Sequence, residues 1–285
     1  MKTARDWDEP FDEGPQSGAS MGLGPPREVT RILLWSLGVI GVLGFLVGDS
    51  GLGRRVWETL ALNPIQWREW FPFVPLWQLV TYGAVHSTSD PMHLVFNLVA
   101  LYGFGSLFEG VFGARRMALW FTAAIAIGGA AQLIYNLAVG ALAPTVGASG
   151  AVLFLIVAMA TLQPSLPVFF LIVRMRLRTL AMIFVGLDLL RVIWALKGAG
   201  GEVAFVVHLS GAALGFAAIR WRWVWLDPLA EIQARREARA VASQVEDERR
   251  LDQLLERIHR EGIGSLSARE REFLKRMSSR RSGGL

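Results

Sequence analysis

The sequence predicts an all-α polytopic membrane protein, a bundle of six transmembrane helices carried between polar N- and C-terminal tails. Three observations predict it. The 285 residues are 53% hydrophobic and 19% charged, with a mean hydropathy of +0.39, which is wrong for a surface facing water. Charge is also partitioned: residues 1–31 carry 10 of the 53 charges and residues 227–285 carry 24, leaving 19 for the 195 residues between. Within that middle stretch, several runs between consecutive charges reach the length of about 20 residues that a helix needs to cross the hydrocarbon.

Taken in order, residues 1–30 mix acids, Gly and Pro without apolar periodicity and are expected to be a disordered polar tail. Ile32 to Gly48 is the first span and its own anchor, since 31 polar residues precede it without an obvious small-residue cleavage site. Pro91 to Phe108, bounded by Asp90 and Glu109, is the second. No charge occurs between Arg116 and Arg174, a length that holds the third and fourth spans, split by GALAPTVG at 140–147 and closed by Pro164 and Pro167. Thr179 to Leu196 is the fifth, despite Asp188 and Arg191, and Val203 to Ile219 is the sixth.

Residues 70–89 are uncharged too, but Pro72, Pro75, Gly83 and the run HSTS make a poor lipid-facing helix. Six spans with an internal N-terminus put Arg27, Arg31, Arg115, Arg116, Arg174, Arg176, Arg178, Arg220 and Arg222 on inner flanks. Only Arg54, Arg55, Arg68 and Lys197 then lie outside, as the positive-inside rule requires. A seventh span would reverse that bias, so 70–89 is expected to be an interfacial or re-entrant loop. In the C-terminal tail, Leu251, Leu254, Leu255 and Ile258 share one helical face, Gly262 can end that helix, and Ser267-x-x-Glu270 is a capping box for a second ending near Met277. A small helical hairpin is expected there.

Composition excludes some chemistry. With no cysteine, a disulfide framework, Cys-based zinc or iron–sulfur sites and a thiolate nucleophile are ruled out. The pI near 10.2 has an ordinary cause in arginines at span ends, so no nucleic-acid partner is expected.

Polar groups inside spans are expensive, and each needs a reason. His93 and Asn97 lie four apart on the second span, on one helical face. The fourth opens with Gly147-Ala-Ser149-Gly150, and the sixth sets His208 on a stripe with Gly211 and Gly215. Each alone reads equally as interhelical hydrogen bonding or small-residue packing. Together they say more, because spans two, four and six run in the same direction and His93, Ser149 and His208 all fall within roughly two turns of the outer end. A glycine-lined sixth helix allows close approach, which can bring the Ser149 hydroxyl to His208 as nucleophile beside base.

These residues resemble the rhomboid family of intramembrane serine proteases over about residues 70–222. The matching pieces are His-x-x-x-Asn in MHLVFNLVALYGFG, the FEGVFGARR segment, Gly-x-Ser-Gly in GASG, and His-x-x-Gly-x-x-x-Gly in HLSGAALG, in matching order and spans. RIHREGIGSLSAREREFL is similar to a short cytosolic module appended to some bacterial rhomboids. The resemblance implies Ser149 as nucleophile, His208 as general base and acid, and an oxyanion hole of His93, Asn97 and the Ser149 backbone N–H. Gly147, Gly150, Gly211 and Gly215 would pack the helices around the site. It implies a Ser–His dyad with no cofactor and no metal, acting on transmembrane-protein substrates in the lipid bilayer of a bacterial inner membrane with both termini cytoplasmic. The alternative is a non-catalytic rhomboid-like protein that binds transmembrane helices. A small transporter using the same cluster is disfavoured by the absence of an inverted repeat.

The expected organisation is a tail at 1–30, a six-span protease domain at 31–226 and a charged helical tail at 227–285. His86, Ser87, Thr88, Ser89, Gln132 and Asn136 are candidates for a polar lining, with interhelical hydrogen bonding the alternative for Gln132 and Asn136. No carboxylate is expected to orient His208, because Asp188 and Arg191 read as an i,i+3 ion pair. Two positions depart from the family: Leu153 stands where an aromatic commonly packs on the histidine, with Phe154 turned about 100° away, and the loop from His86 to His93 is longer, with Asp90-Pro91 inside it.

Overall fold

A buried acid starts the fold. Helix α1 (Glu28–Val47) has no side-chain cap of its own, and its first-turn donors are instead satisfied by Glu109, 80 residues on. The Val29 and Thr30 N–H groups and the Thr30 hydroxyl donate to the Glu109 carboxylate at 3.0, 2.8 and 2.7 Å. A carboxylate at a helix N-terminus meets both the orphan donors and the positive end of the helix dipole. The FEGVFGARR segment thereby ties the second apolar helix to the first.

The computed structural model describes residues 25–48, 50–170, 172–197, 205–226 and 228–282, so residues 1–24 of the expected polar tail lie outside the described residues. The chain divides into two units, Met1–Leu226 and Asp227–Leu285. In the first, helices occupy all six stretches expected to span, the sixth from Phe205 on because residues 203 and 204 lie outside the described residues. After α1 come three short helices, α2 (Gly51–Leu60), α3 (Pro64–Glu69) and α4 (Gln78–Thr81). The second stretch is α5 (Pro91–Ala100), a π turn at Leu101–Gly105 and α6 (Ser106–Phe112) in one run. The remainder are α7 (Ala114–Val139), α8 (Ser149–Leu162), α9 (Leu177–Leu196) and α10 (Phe205–Arg220). Glu28–Val47, Pro91–Phe112 and Ala114–Val139 are each long and apolar enough to cross a membrane, while α8 and α10 are apolar but only 14 and 16 residues long.

α8 is the hub. Its residues from Gly150 to Ile156 are all buried, as expected of a helix apolar on every side. α1 and α9 instead expose Trp35, Phe45, Leu46, Met182 and Trp194, the surface of a protein solvated by lipid.

Several elements exceed the sequence expectation. The segment from 50 to 89 is an ordered cap around Gln78, which is fully buried. Its amide oxygen accepts from the Asn63 N–H and Trp67 Nε1–H, both at 3.1 Å, and its Nε2 donates to the Thr59 carbonyl at 3.2 Å and Gln66 Oε1 at 2.6 Å. The starts of α2 and α3 were legible in principle, since Ser50 and Asn63 accept from the Gly53 and Ile65 N–H groups and Pro64 occupies the first turn. A two-stranded antiparallel hairpin, β1 (Pro167–Phe170) with β2 (Val173–Arg176), joins α8 to α9. Its Val and Phe residues suit strands, and Pro167 sits at the first strand position, where its missing donor does least harm.

The second unit holds α11 (Pro228–Glu261) and α12 (Ala268–Ser282). Gly262 ends α11 at φ +82°, and Ser267 forms the expected reciprocal cap with Glu270. Leu251, Leu254, Leu266 and Phe273 make its core, with Ile258 and Met277 partly buried against them. Leu255, expected on the same face, is 51% exposed. A single short partner helix covers the narrow stripe 251, 254, 258 and leaves its edge open.

Candidate active site

Three helix N-termini carry the polar residues. Ser149 is the first residue of α8, His93 the third of α5 and His208 the fourth of α10. Each start is held in its own way. Asp90 caps α5 by accepting from the His93 N–H at 3.3 Å, with Pro91 in the first turn. The longer His86–His93 loop therefore ends in an ordinary helix start. The chain before α8 is pinned by paired hydrogen bonds between Leu62 and Thr145 and by the Gly147 N–H donating 2.9 Å to the Tyr82 carbonyl. Gly147 sits at φ +108°, and a Cβ there would come within 2.8 Å of His93 Cε1, so only glycine suits both the backbone and its neighbour. Tyr82, 1% exposed, is itself held by its hydroxyl donating to the Ile125 carbonyl at 2.8 Å.

Close helix contact brings serine to histidine. A Cβ on Gly211 would overlap the Gly150 carbonyl oxygen, and one on Gly215 would fall 2.5 Å from the Phe154 carbonyl oxygen. At Gly150, Gly211 and Gly215 the neighbouring backbone comes too close for a side chain. Across this seam the Ser149 hydroxyl lies 2.7 Å from His208 Nε2. Gln132 fixes the start of α10: its Oε1 accepts from the Val207 N–H at 3.3 Å while its Nε2 donates to Asn136 Oδ1 at 2.8 Å. Both residues are buried; Gln132 joins α7 to α10, and Asn136 braces it from one turn further along α7.

On its other side, His208 has a partner that sequence reasoning did not assign. Nδ1 lies 3.1 Å from both Oδ1 and Oδ2 of Asp188, which is 3% exposed, and Oδ1 also accepts from Arg191 Nη1 at 2.9 Å. The Asp188–Arg191 ion pair is present as expected, but the expectation that no carboxylate orients His208 is corrected. The i,i+3 spacing hid this, because Asp188 reaches both its own helix neighbour and α10. Phe154 meanwhile turns away from the site, stacking on Trp120 at 5.9 Å between ring centroids with 6° between planes.

Of the expected oxyanion donors, His93 is brought by the structure against Gly147, two residues before Ser149. Asn97 is buried, and its Nδ2 has no hydrogen-bond partner among the described residues. His93 is half-buried against Gly147, and His86 packs edge-on against it at 5.6 Å. Ser149 opens α8, so its backbone N–H belongs to the first turn, whose donors have no intrahelical acceptor. Of the proposed lining, His86 is buried, while Ser87 and Ser89 pair through their hydroxyls at 3.0 Å and are solvent-accessible. No group of three or more His, Asp or Glu able to hold a metal occurs among the described residues.

Fold and site thus define a helical membrane protein with a hydrogen-bonded Ser–His pair among its helices. The sequence profile of the rhomboid domain matches residues 75–223, half of the chain, and the chain belongs to the rhomboid family. Residues 237–280 match a family of unknown function, DUF6576. No curated protein matches the chain.

Proposed function

We propose that this rhomboid is an intramembrane serine endopeptidase that hydrolyses a peptide bond in or near the transmembrane segment of another membrane protein. The observation that carries the reading is the 2.7 Å contact between Ser149 Oγ and His208 Nε2 at the start of α8. Ser149 Oγ attacks the scissile carbonyl carbon as Nε2 takes the hydroxyl proton. The resulting oxyanion is met by the Ser149 N–H, the Asn97 amide and a His93 ring N–H, in a low-dielectric site where aligned dipoles act strongly. Collapse breaks the C–N bond while His208 returns the proton to the leaving amine. Water then attacks the acyl carbon as the same nitrogen takes its proton, and the ester C–O bond breaks as that proton returns to Ser149 Oγ.

Helix length supports a buried site. Fourteen residues of α8 rise about 21 Å, against about 30 Å of hydrocarbon, which supports a reading with Ser149 below the membrane surface. Substrates with small residues at the cleaved bond and a helix that unwinds readily fit such a site, because an intact helix hides its carbonyls. The membrane is read as a bacterial inner membrane with both termini cytoplasmic. To test the function, wild type and Ser149→Ala are reconstituted in liposomes with reporter transmembrane substrates, and products are mapped by mass spectrometry. Cleavage inside or beside the transmembrane segment by wild type alone supports it. Equal product from both proteins, or none from wild type, would leave a helix-binding role.

A further inference from the structure

We propose that Asp188 is a positioning residue of the catalytic site, fixing His208 in the tautomer that accepts the Ser149 proton. The inference rests on reading Ser149 and His208 as the hydrolytic pair. A neutral imidazole carries its one hydrogen on either nitrogen, and only the Nδ1–H form leaves Nε2 free to act as base. An ionised carboxyl offers acceptors only, so the two oxygens at 3.1 Å from Nδ1 select Nδ1–H and turn Nε2 toward Ser149. When Nε2 takes the serine proton, the ring becomes cationic, and the same carboxylate stabilises it. The Nδ1 hydrogen stays on nitrogen throughout.

The simpler reading makes Asp188 a helix ion pair with Arg191. Burial argues against that as its whole role. Asp188 is 4% exposed in its side chain and Arg191 43%, so an ion pair alone would leave the carboxylate poorly solvated with half of its acceptor capacity unused. Instead the carboxylate turns inward from α9 to α10.

Arg191 sharpens the test. In Asp188→Asn, Arg191 keeps the amide oxygen, which sets the amide NH₂ in the place of Oδ2, 3.1 Å from Nδ1, where it opposes the Nδ1–H form and favours the hydrogen on Nε2. The site then holds its shape with the wrong tautomer. Turnover should fall on the order of 10²–10⁴-fold with KM changed less than about threefold. Arg191→Gln leaves both carboxylate oxygens facing His208 and should lose less than about tenfold. Ser149→Ala with Asp188→Asn should be no worse than Ser149→Ala alone, because members of one catalytic unit are not additive.

The experiment measures cleavage of a reporter substrate by the full chain and the ¹⁵N spectrum of its four histidines, His208 being identified by loss of its signal in His208→Gln. Expected are an Nδ1–H signal in wild type, an Nε2–H signal in folded Asp188→Asn, and the loss in kcat. Wild-type cleavage with unchanged kcat in Asp188→Asn, or an Nε2–H signal in wild type, overturns the role of Asp188 alone. A folded wild type that cleaves nothing overturns the proteolytic reading and this role with it. Equal losses in Arg191→Gln and Asp188→Asn, both without a tautomer change, reduce Asp188 to an ion-pair partner.

Discussion

Gly211→Ala tests whether helix contact sets the catalytic distance. The added methyl would overlap the Gly150 carbonyl oxygen and lie 2.8 Å from its carbonyl carbon and 3.3 Å from its Cα. All three are backbone atoms, so no side chain can rotate aside, and α8 and α10 must part by about 1 Å to reach ordinary contact. Ser149 precedes Gly150, and His208 is one turn before Gly211, so the opening falls on their 2.7 Å contact and stretches it past hydrogen-bond range. Misplacement of that size costs about 10²-fold in rate. Overpacking destabilises by about 1–3 kcal/mol, and alanine's helix propensity returns about 1 kcal/mol, so a net loss of up to about 2 kcal/mol is expected. Gly186→Ala on α9 is the control, since nothing lies within 4 Å of its added methyl. The assay is kcat/KM on a reporter transmembrane substrate alongside denaturant unfolding in detergent. A Gly211→Ala protein with wild-type turnover and unfolding midpoint would refute the argument.

Other outcomes follow from the same contacts. Asn97→Ala should lower turnover by about 10²-fold or more with little change in substrate binding; an unchanged rate constant in single-turnover kinetics would assign Asn97 to packing. Glu109→Ala leaves the first-turn donors of α1 unmet and should destabilise the bundle by about 2–3 kcal/mol in unfolding measurements; a loss below 0.5 kcal/mol, on the order of an unimportant surface change, would contradict the cap. Truncation after Leu226 removes a unit with its own core and none of the site residues, so reporter cleavage should stay within a few-fold. In that unit, hydrogen bonds from the Ser267 N–H and hydroxyl hold the Glu270 carboxyl below the usual carboxylate range. Its cap is therefore present above the unfolded carboxylate's pKa and is lost as pH falls through the lowered folded value; amide protection at the start of α12 that does not weaken on acidification would count against it.

Much of this was legible before any coordinates. Charge spacing located all six apolar helices, because expelling charge from lipid is a strong and local constraint. Ser149 and His208 were legible as a pair because their glycines announce close approach. Three features were not. Glu109 acts across the fold and Gln78 gathers a whole loop segment, and a buried amide or acid gives no sign in sequence of which groups it will meet. α2 and α3 carry no apolar run of spanning length, and only Ser50 and Asn63-Pro64 mark their starts. Asp188 had a satisfying partner at i+3, and that sufficient local explanation concealed the long-range contact to His208.

The central claim is that His208 activates Ser149, and labelling by a fluorophosphonate probe tests it most directly. Wild type should be modified at Ser149, as read by peptide mass spectrometry, with labelling steeply reduced in His208→Ala and abolished in Ser149→Ala, because an unassisted serine hydroxyl is a poor nucleophile. Folded wild type that resists several serine-directed probes in both detergent and lipid, or labels as fast without His208, would contradict it.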